Sequence, residues 1–305
     1  MFKTVFENHL DENNWCKITD FISGDFPKPR FGHTANKYGE DSIILFGGQG
    51  PDPNNDDPQE TLFHSFDDAF LFDTKTFTWF VIGNEDKDNS DMPRPPPRNS
   101  HAAVITGSDL YIFGGANHDG PMNDMWKLNI ATQSWTEVKY SGSQSPRPIE
   151  MHSMCVYNSK FFVTGGRIST NLSSSGVSSI SDVCDDIWIF DLCDKVWTKL
   201  HQKISTSRCC HVSFFIDSHY LVTFAGCSKT STNEDLMVYD VKKDCLEQIE
   251  LVSEKERSIT PLHLARLGHA CTNGNNKDVF FIFGGVNSTS DLNDILCLTL
   301  NKVRY

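Results

Sequence analysis

The chain has 305 residues, a formal net charge of −13 with His neutral, 38% hydrophobic and 11% aromatic content, and 22 phenylalanines. That is enough apolar material for a packed interior and excludes a largely disordered chain. The acidic balance argues against partners that are nucleic acid or anionic membrane, because both are held by Lys and Arg facing phosphate.

The opening segment, MFKTVFENHLDENN, has no apolar stretch of the signal-peptide kind, and runs such as Val279 to Phe283 are far shorter than a membrane span. The reading is a chain that is not exported, placed in the cytoplasm with the nucleus as the second compartment. Ten cysteines lie scattered between Cys16 and Cys297 without a C-x-x-C pair. They read as reduced thiols used as small core residues, with no metal site and no cofactor.

Taken in chain order, Trp15 comes first and then one pattern recurs. RFGH (Arg30 to His33) leads into an apolar stretch, LFGG ending at Gly47 and Gly48, DDAFLFD ending at Asp73, and Trp79. RNSH (Arg98 to His101) leads to IFGG at Gly114 and Gly115, NDMWKLN ending at Asn129, and Trp135. RPIEMH (Arg147 to His152) leads to VTGG at Gly165 and Gly166, DDIWIFD ending at Asp191, and Trp197. RCCH (Arg208 to His211) leads to a degenerate FAG, EDLMVYD ending at Asp240, and Leu246 in place of Trp. RLGH (Arg266 to His269) leads to IFGG at Gly284 and Gly285 and to NDILCLT, after which no Trp follows. The intervals run a little above the roughly 50 residues of a propeller repeat, so the excess reads as loop insertions.

Each unit predicts four short strands: a after the His, b ending at Gly-Gly, c across the acidic-apolar segment, d at the Trp. The glycines suit a strand end where φ is positive or a neighbouring backbone passes close. R-x-x-H, apolar-Gly-Gly, Asn/Asp-Asp and Trp in this order resemble the kelch family over about residues 15 to 300. The resemblance implies an all-β, kelch-type β-propeller. It is read as a single domain over 1–305, with five four-stranded blades near 31–82, 99–140, 150–202, 209–251 and 267–300. Six blades, as in more typical members, is the alternative. Trp15, on a strand over 13–19, is expected to complete the last blade and lock the ring, removing exposed strand edges.

Because strands alternate in direction, the b–c and d–a loops share one face, and the long insertions fall there: Gln49–Phe66, Arg167–Val183, Gly83–Pro97 and Glu250–Ala265. Function tends to sit on such loops. Each repeat also brings an arginine before strand a (Arg30, Arg98, Arg147, Arg208, Arg266) and an aspartate at the start of strand c (Asp68, Asp124, Asp186, Asp235, Asp294). They are expected either to pair as structural ties or, through the arginines, to read an acidic peptide. Arg167 and His118 lie outside the repeat pattern and are the more specific binding candidates.

The expected function is a protein-interaction scaffold, monomeric, binding a protein or peptide on that face. The alternative is a small-molecule enzyme of propeller fold, of the specifier-protein, epimerase or oxidase type. The E-x3-D-x3-H spacing of specifier proteins fails here, since Trp15 takes the His place after Glu7 and Asp11, and no G-x-S-x-G or phosphate-loop motif occurs. Cys209, Cys210 and His211 are ligand types, but neighbours in an extended strand point to opposite faces and are not expected to converge.

Overall fold

The computed structural model describes residues 2–9, 22–52, 63–83, 93–169, 181–216, 219–249, 264–273 and 279–300. Every regular element among them is a strand, and none of them forms a helix long and apolar enough to cross a membrane. The fold is the all-β architecture that the repeats predict.

The N-terminal strand is β1 (Phe2–His9). The first sheet joins β2 (Ser23–Gly24), β3 (Thr34–Tyr38), β4 (Ser42–Phe46), β7 (Ala69–Asp73) and β8 (Thr78–Ile82), with a side ribbon of β5 (Gln49–Pro51) and β6 (Phe63–Ser65). The second holds β9 (Ala102–Thr106), β10 (Asp109–Phe113), β13 (Met125–Asn129) and β14 (Ser134–Glu137), with ribbon β11 (Ala116–Asn117) and β12 (Gly120–Pro121). The third holds β16 (Ser153–Tyr157), β17 (Lys160–Thr164), β20 (Asp186–Asp191) and β21 (Val196–Lys203), beside β15 (Ile149–Glu150), β18 (Arg167–Ser169) and β19 (Ser181–Val183). The fourth is β22 (Val212–Ile216), β23 (Tyr220–Phe224), β24 (Leu236–Asp240) and β25 (Cys245–Ile249). The fifth is β26 (Ala270–Asn273), β27 (Val279–Phe283) and β28 (Asp294–Leu300), with β1 as its fourth strand.

Local chemistry explains the short hairpins. The Asn158–Ser159 turn has φ of 48° and 57°, the type I′ geometry whose twist matches that of the flanking strands. The acidic or amide residue that ends strand c in the first four repeats caps the next turn. Asp73 accepts from the Lys75 and Thr76 amides, Asp191 from Cys193 and Asp194, and Asp240 from Lys242 and Lys243, while Asn129 accepts from Thr132. The motif DDIWIFD therefore encodes a strand and the turn that leaves it.

Sheets pack face to face through aromatic side chains. Trp135 lies on Phe46 of the preceding sheet with ring centroids 5.0 Å apart, and Trp197 on Phe113 at 4.9 Å. His101, His152 and His269 each present an edge to the Phe that closes strand b of the sheet before, namely Phe46, Phe113 and Phe224. These buried repeat histidines thus serve as inter-sheet packing. Gly165 shows why its neighbourhood excludes a side chain. At φ 56° a Cβ there would meet the Arg208 carbonyl oxygen at 2.4 Å and the His211 ring at 2.6 Å, closer than side chains approach. In the fourth repeat Ala225 takes this place at φ 56°, fully buried.

β1 pairs antiparallel with β28, from Phe2 opposite Leu300 to His9 opposite Asp294. An N-terminal strand completes the fifth sheet as the repeat arithmetic requires, but it is Phe2–His9. The strand anticipated over 13–19, and Trp15 with it, lie outside the described residues. At the four internal junctions the second Gly amide, from Gly48, Gly115, Gly166 or Gly226, donates to a carbonyl of the next sheet at 2.8–2.9 Å. Between the fifth sheet and the first no such bond is formed among the described residues. There Phe283 is 42% exposed where its counterparts Phe46, Phe113 and Phe224 are buried, His33 is exposed, and Trp79 is only half-buried.

Candidate interaction face

The face bearing the b–c and d–a connections is built on a repeated backbone device. After the paired glycines, or Ala225–Gly226 in the fourth repeat, the chain turns back so that the next residue pairs with the residue two before the repeat histidine. Five such bridges form: Phe31 with Gln49, Asn99 with Ala116, Glu150 with Arg167, Cys209 with Cys227, and Leu267 with Val286. One residue further on, Gly32, Ser100, Met151, Cys210 and Gly268 all have φ between 54° and 65°. Their amides link the sheets in sequence, Ser100 to the Gly32 carbonyl, Met151 to Ser100, Cys210 to Met151 and Gly268 to Cys210, at 2.8–3.0 Å. The backbone is constant around this belt while the side chains differ at every station: an aromatic with an amide, an amide with a methyl, an ion pair, two thiols, two aliphatics.

Behind the belt stand the arginines. Arg98 donates to both carboxylate oxygens of Asp124 at 2.8 and 2.7 Å and to the Gly114 carbonyl at 2.9 Å. Arg208 with Asp235 and Ala225, and Arg266 with Asp294 and Gly284, repeat this at 2.7–3.0 Å. Arg30 does so with Asp68 and Gly47, its guanidinium 4.0 Å over the Phe66 ring. The four guanidinium groups are at most 3% exposed, so each ties the starts of strands a and c to the end of b. Burial alone would raise the Asp124 carboxyl, but the hydrogen bonds and charge of Arg98, with the Trp126 indole, hold it below its ordinary value.

The third repeat departs from the expected five pairs. Arg147 is exposed and Asp186 meets Lys199 at 2.8 Å. RPIEMH places its arginine two residues early, so buried Ile149 stands three before His152, and its carbonyl takes the Gly115 amide as the Arg98 carbonyl takes that of Gly48. Sequence spacing held this signal, since this block has four residues between Arg and His where the other four have two.

Two adjoining clefts open on this face. One, of about 560 Å³, is lined by Phe31, Asn99, Ser100, Glu150, Met151 and Arg167 among others. The second, of about 610 Å³, is lined by Gln49, Phe63, His64, Pro97, Asn99 and His118 among others. Asn99 bridges them, donating to the Gln49 side chain, the Ser65 hydroxyl and the Ala116 carbonyl. Phe31 and Phe63, both about half exposed, meet edge to face at 5.6 Å. Arg167 lies in the first cleft held by Glu150 at 2.8–2.9 Å, and His118 sits exposed on the rim of the second beside Asp119 at 3.2 Å. The structure therefore brings Arg167 and His118 to one face and sets Arg30, Arg98, Arg208 and Arg266 beneath it. Phe31, Phe63, Asn99 and Glu150 were not legible as site residues, because they occupy the variable positions of the repeat. Much of the long connections, residues 53–62, 84–92, 170–180 and 250–263, lies outside the described residues.

Cys209, Cys210 and Cys227 also converge here, with all three sulfurs within 4.8 Å of one another and the Cys209 and Cys227 sulfurs 3.5 Å apart. This corrects the expectation of divergent neighbours: Cys210 has φ 54°, which breaks the strand alternation. His211 stays apart, its Nε2 against the Thr164 hydroxyl at 2.9 Å. Hydrogen bonds from Cys209 and Cys210, and the nearby charge of Arg167, draw the Cys227 thiol down to about 3, while the Cys209 thiol is raised by its bonds to the other two.

Comparison with known proteins agrees with the repeats. Residues 1–216 match the model of the KLHDC2/KLHL20/DRC7 Kelch-repeats domain. The chain is 27% identical over 274 residues to Kelch domain-containing protein 1 of Homo sapiens, covering 81% of this chain and 63% of that protein. It is 32% identical over 172 residues to Host cell factor homolog hcf-1 of Caenorhabditis elegans, covering 53% of this chain and 21% of the relative. A Drosophila melanogaster relative, Leucine-zipper-like transcriptional regulator 1 homolog, is 25% identical over 97% of this chain and 28% of its own length. The chain thus spans under two thirds of the length of these relatives. Arg-x-x-His, paired glycines at strand ends and Trp between sheets, together with the match over 1–216, make this chain a member of the kelch-repeat family.

Proposed function

We propose that this protein is a non-enzymatic interaction scaffold that holds a protein or peptide segment across the two adjoining clefts. Kelch-repeat proteins generally act in protein–protein interaction. The observation that carries the reading to this face is the contrast between a constant backbone belt and side chains that change at each station, with Phe31 and Phe63 exposed at the clefts. Aromatic and arginine side chains on a rigid frame are what protein recognition draws on. The Arg167–Glu150 pair gives the first cleft both signs of charge, which suits a partner of mixed polar character. The acidic chain is read as a monomer in cytoplasm or nucleus, without nucleic-acid or membrane partners.

The experiment is affinity capture of the tagged full chain from its own cells. The double variant Arg167→Glu, His118→Ala is run beside a control altered at Lys243 on the opposite face. A stoichiometric partner kept by wild type and control and lost by the double variant is the expected result. Equal capture by all three would overturn the assignment of the face.

The architecture beneath is read as one domain over 1–305, a ring of five sheets that β1 fastens at its last member. Four junctions that share the same glycine amide to carbonyl hydrogen bond support the ring. A six-position ring is the second reading, favoured by the lack, among the described residues, of a Gly285 amide bond to the first sheet like those at the other four junctions. Electron-microscopic class averages of the full chain decide between a disc of five equal lobes and one with a sixth position.

A further inference from the structure

We propose that Cys209, Cys210 and Cys227 form a binding site for one thiophilic d10 metal ion, Zn²⁺ or Cu⁺. Three sulfurs lie within 4.8 Å of one another. Sulfurs that share a tetrahedral zinc at about 2.3 Å stand about 3.8 Å apart, so the Cys209–Cys227 separation of 3.5 Å needs only a few tenths of an ångström to accommodate an ion.

The frame that holds them is rigid. Cys209 and Cys227 exchange both backbone hydrogen bonds at 2.9 Å, and the Cys210 amide is fixed on the Met151 carbonyl at 2.9 Å. Beyond Cys227 the chain closes a tight loop, with the Ser228 amide on Ser231 and the Asn233 amide on the Gly226 carbonyl. A site whose backbone is fixed before the ion arrives loses little ordering entropy on binding. Soft thiolate ligands select Zn²⁺ and Cu⁺ over harder ions.

The chemistry balances without a redox step. Three thiols release three protons to solvent as the sulfurs bind, leaving a charge of −1 with Zn²⁺ or −2 with Cu⁺. Arg167, on the neighbouring station of the belt and paired with Glu150, is a cation close enough to act on Cys210 and Cys227. Cys209 is buried while Cys210 and Cys227 are half-exposed, so an ion can enter from the face. No His or carboxylate joins the group among the described residues. Zn²⁺ would therefore keep a fourth position for water or an incoming ligand, and Cu⁺ would be three-coordinate.

The test uses the full chain, purified under reducing conditions without chelator. Elemental analysis is expected to find one Zn or Cu per chain, lost in Cys227→Ser and kept in Cys193→Ser, whose thiol is exposed and stands apart. X-ray absorption separates the ions by the element's own edge and by a three-sulfur shell with a fourth, lighter ligand for Zn²⁺ or without one for Cu⁺. A measurement free of variants guards against misfolding: one equivalent of Zn²⁺ added to metal-stripped wild type is expected to shield the three thiols, and not Cys193, from iodoacetamide. Binding weaker than about 1 µM, unshielded thiols, or a Cys209–Cys227 disulfide in protein prepared without reductant would each overturn the site.

Discussion

Asp294 is 5% exposed and the Arg266 guanidinium is fully buried against it, so neither charge has access to water as a substitute partner. Truncating such a carboxylate leaves a buried unpaired cation, which costs about 3–5 kcal/mol. Asp294→Ala is expected to lose that much in chemical denaturation, whereas Lys243→Ala on the surface should change little. Equal, small losses would contradict the role given to these pairs. Buried imidazoles make a second residue-scale case. Burial, with the charges of Arg98 and Arg208, lowers His101 and His211 well below 6.5, and burial takes His152 and His269 to about 3. Below pH 6.5 the unfolded chain takes up protons at these four rings that the native chain does not. Their contribution is thus intact above that pH and declines as pH falls, by about 1.4 kcal/mol per pH unit for each ring. Denaturant midpoints should drop between about pH 7 and pH 5, before the carboxylates begin to titrate near 4; a flat profile over that window would refute the burial argument.

At the scale of elements, the strands, the paired glycines and the inter-sheet tryptophans were legible because each has a local signature: alternation, a positive φ, a large ring at a fixed offset. The third repeat shows how legibility fails. RPIEMH looks like its neighbours, yet its two extra residues move Ile149 into the arginine's place and leave Asp186 to Lys199. The thiol cluster was illegible for a related reason, since alternation rules out convergence of Cys209 and Cys210 unless one knows that Cys210 is left-handed. The strand beside β28 does come from the N-terminal segment, as Phe2–His9, a stretch whose FKTVFENH pattern is a weaker signal than a lone Trp; residues 13–19 and Trp15 lie outside the described residues. Deleting residues 1–9 should leave β28 as a bare edge and lower Tm by about 5 °C or more, at about 2–4 °C per kcal/mol for a domain of this size. An unchanged Tm would show that β1 contributes nothing to the sheet.

For the whole molecule, one geometry repeated five times does two jobs. Buried arginines, glycines and histidines fix the frame and are the same in nearly every sheet. The stations on the belt can differ because the hydrogen bonds that join one sheet to the next there run through backbone amides and carbonyls. On the proposed reading, specificity resides in a few positions, Phe31, Phe63, Asn99, Glu150 and Arg167, that the repeat signature does not define. The central claim is that partners meet this face, and site-specific photocrosslinking tests it most directly. A photoreactive residue is placed at Phe63 in one preparation and at Lys243, on the c–d turn of the opposite face, in another. The account expects a discrete adduct with a protein partner from Phe63 and none from Lys243. Adducts from Lys243 alone, or of equal yield from both, would contradict it.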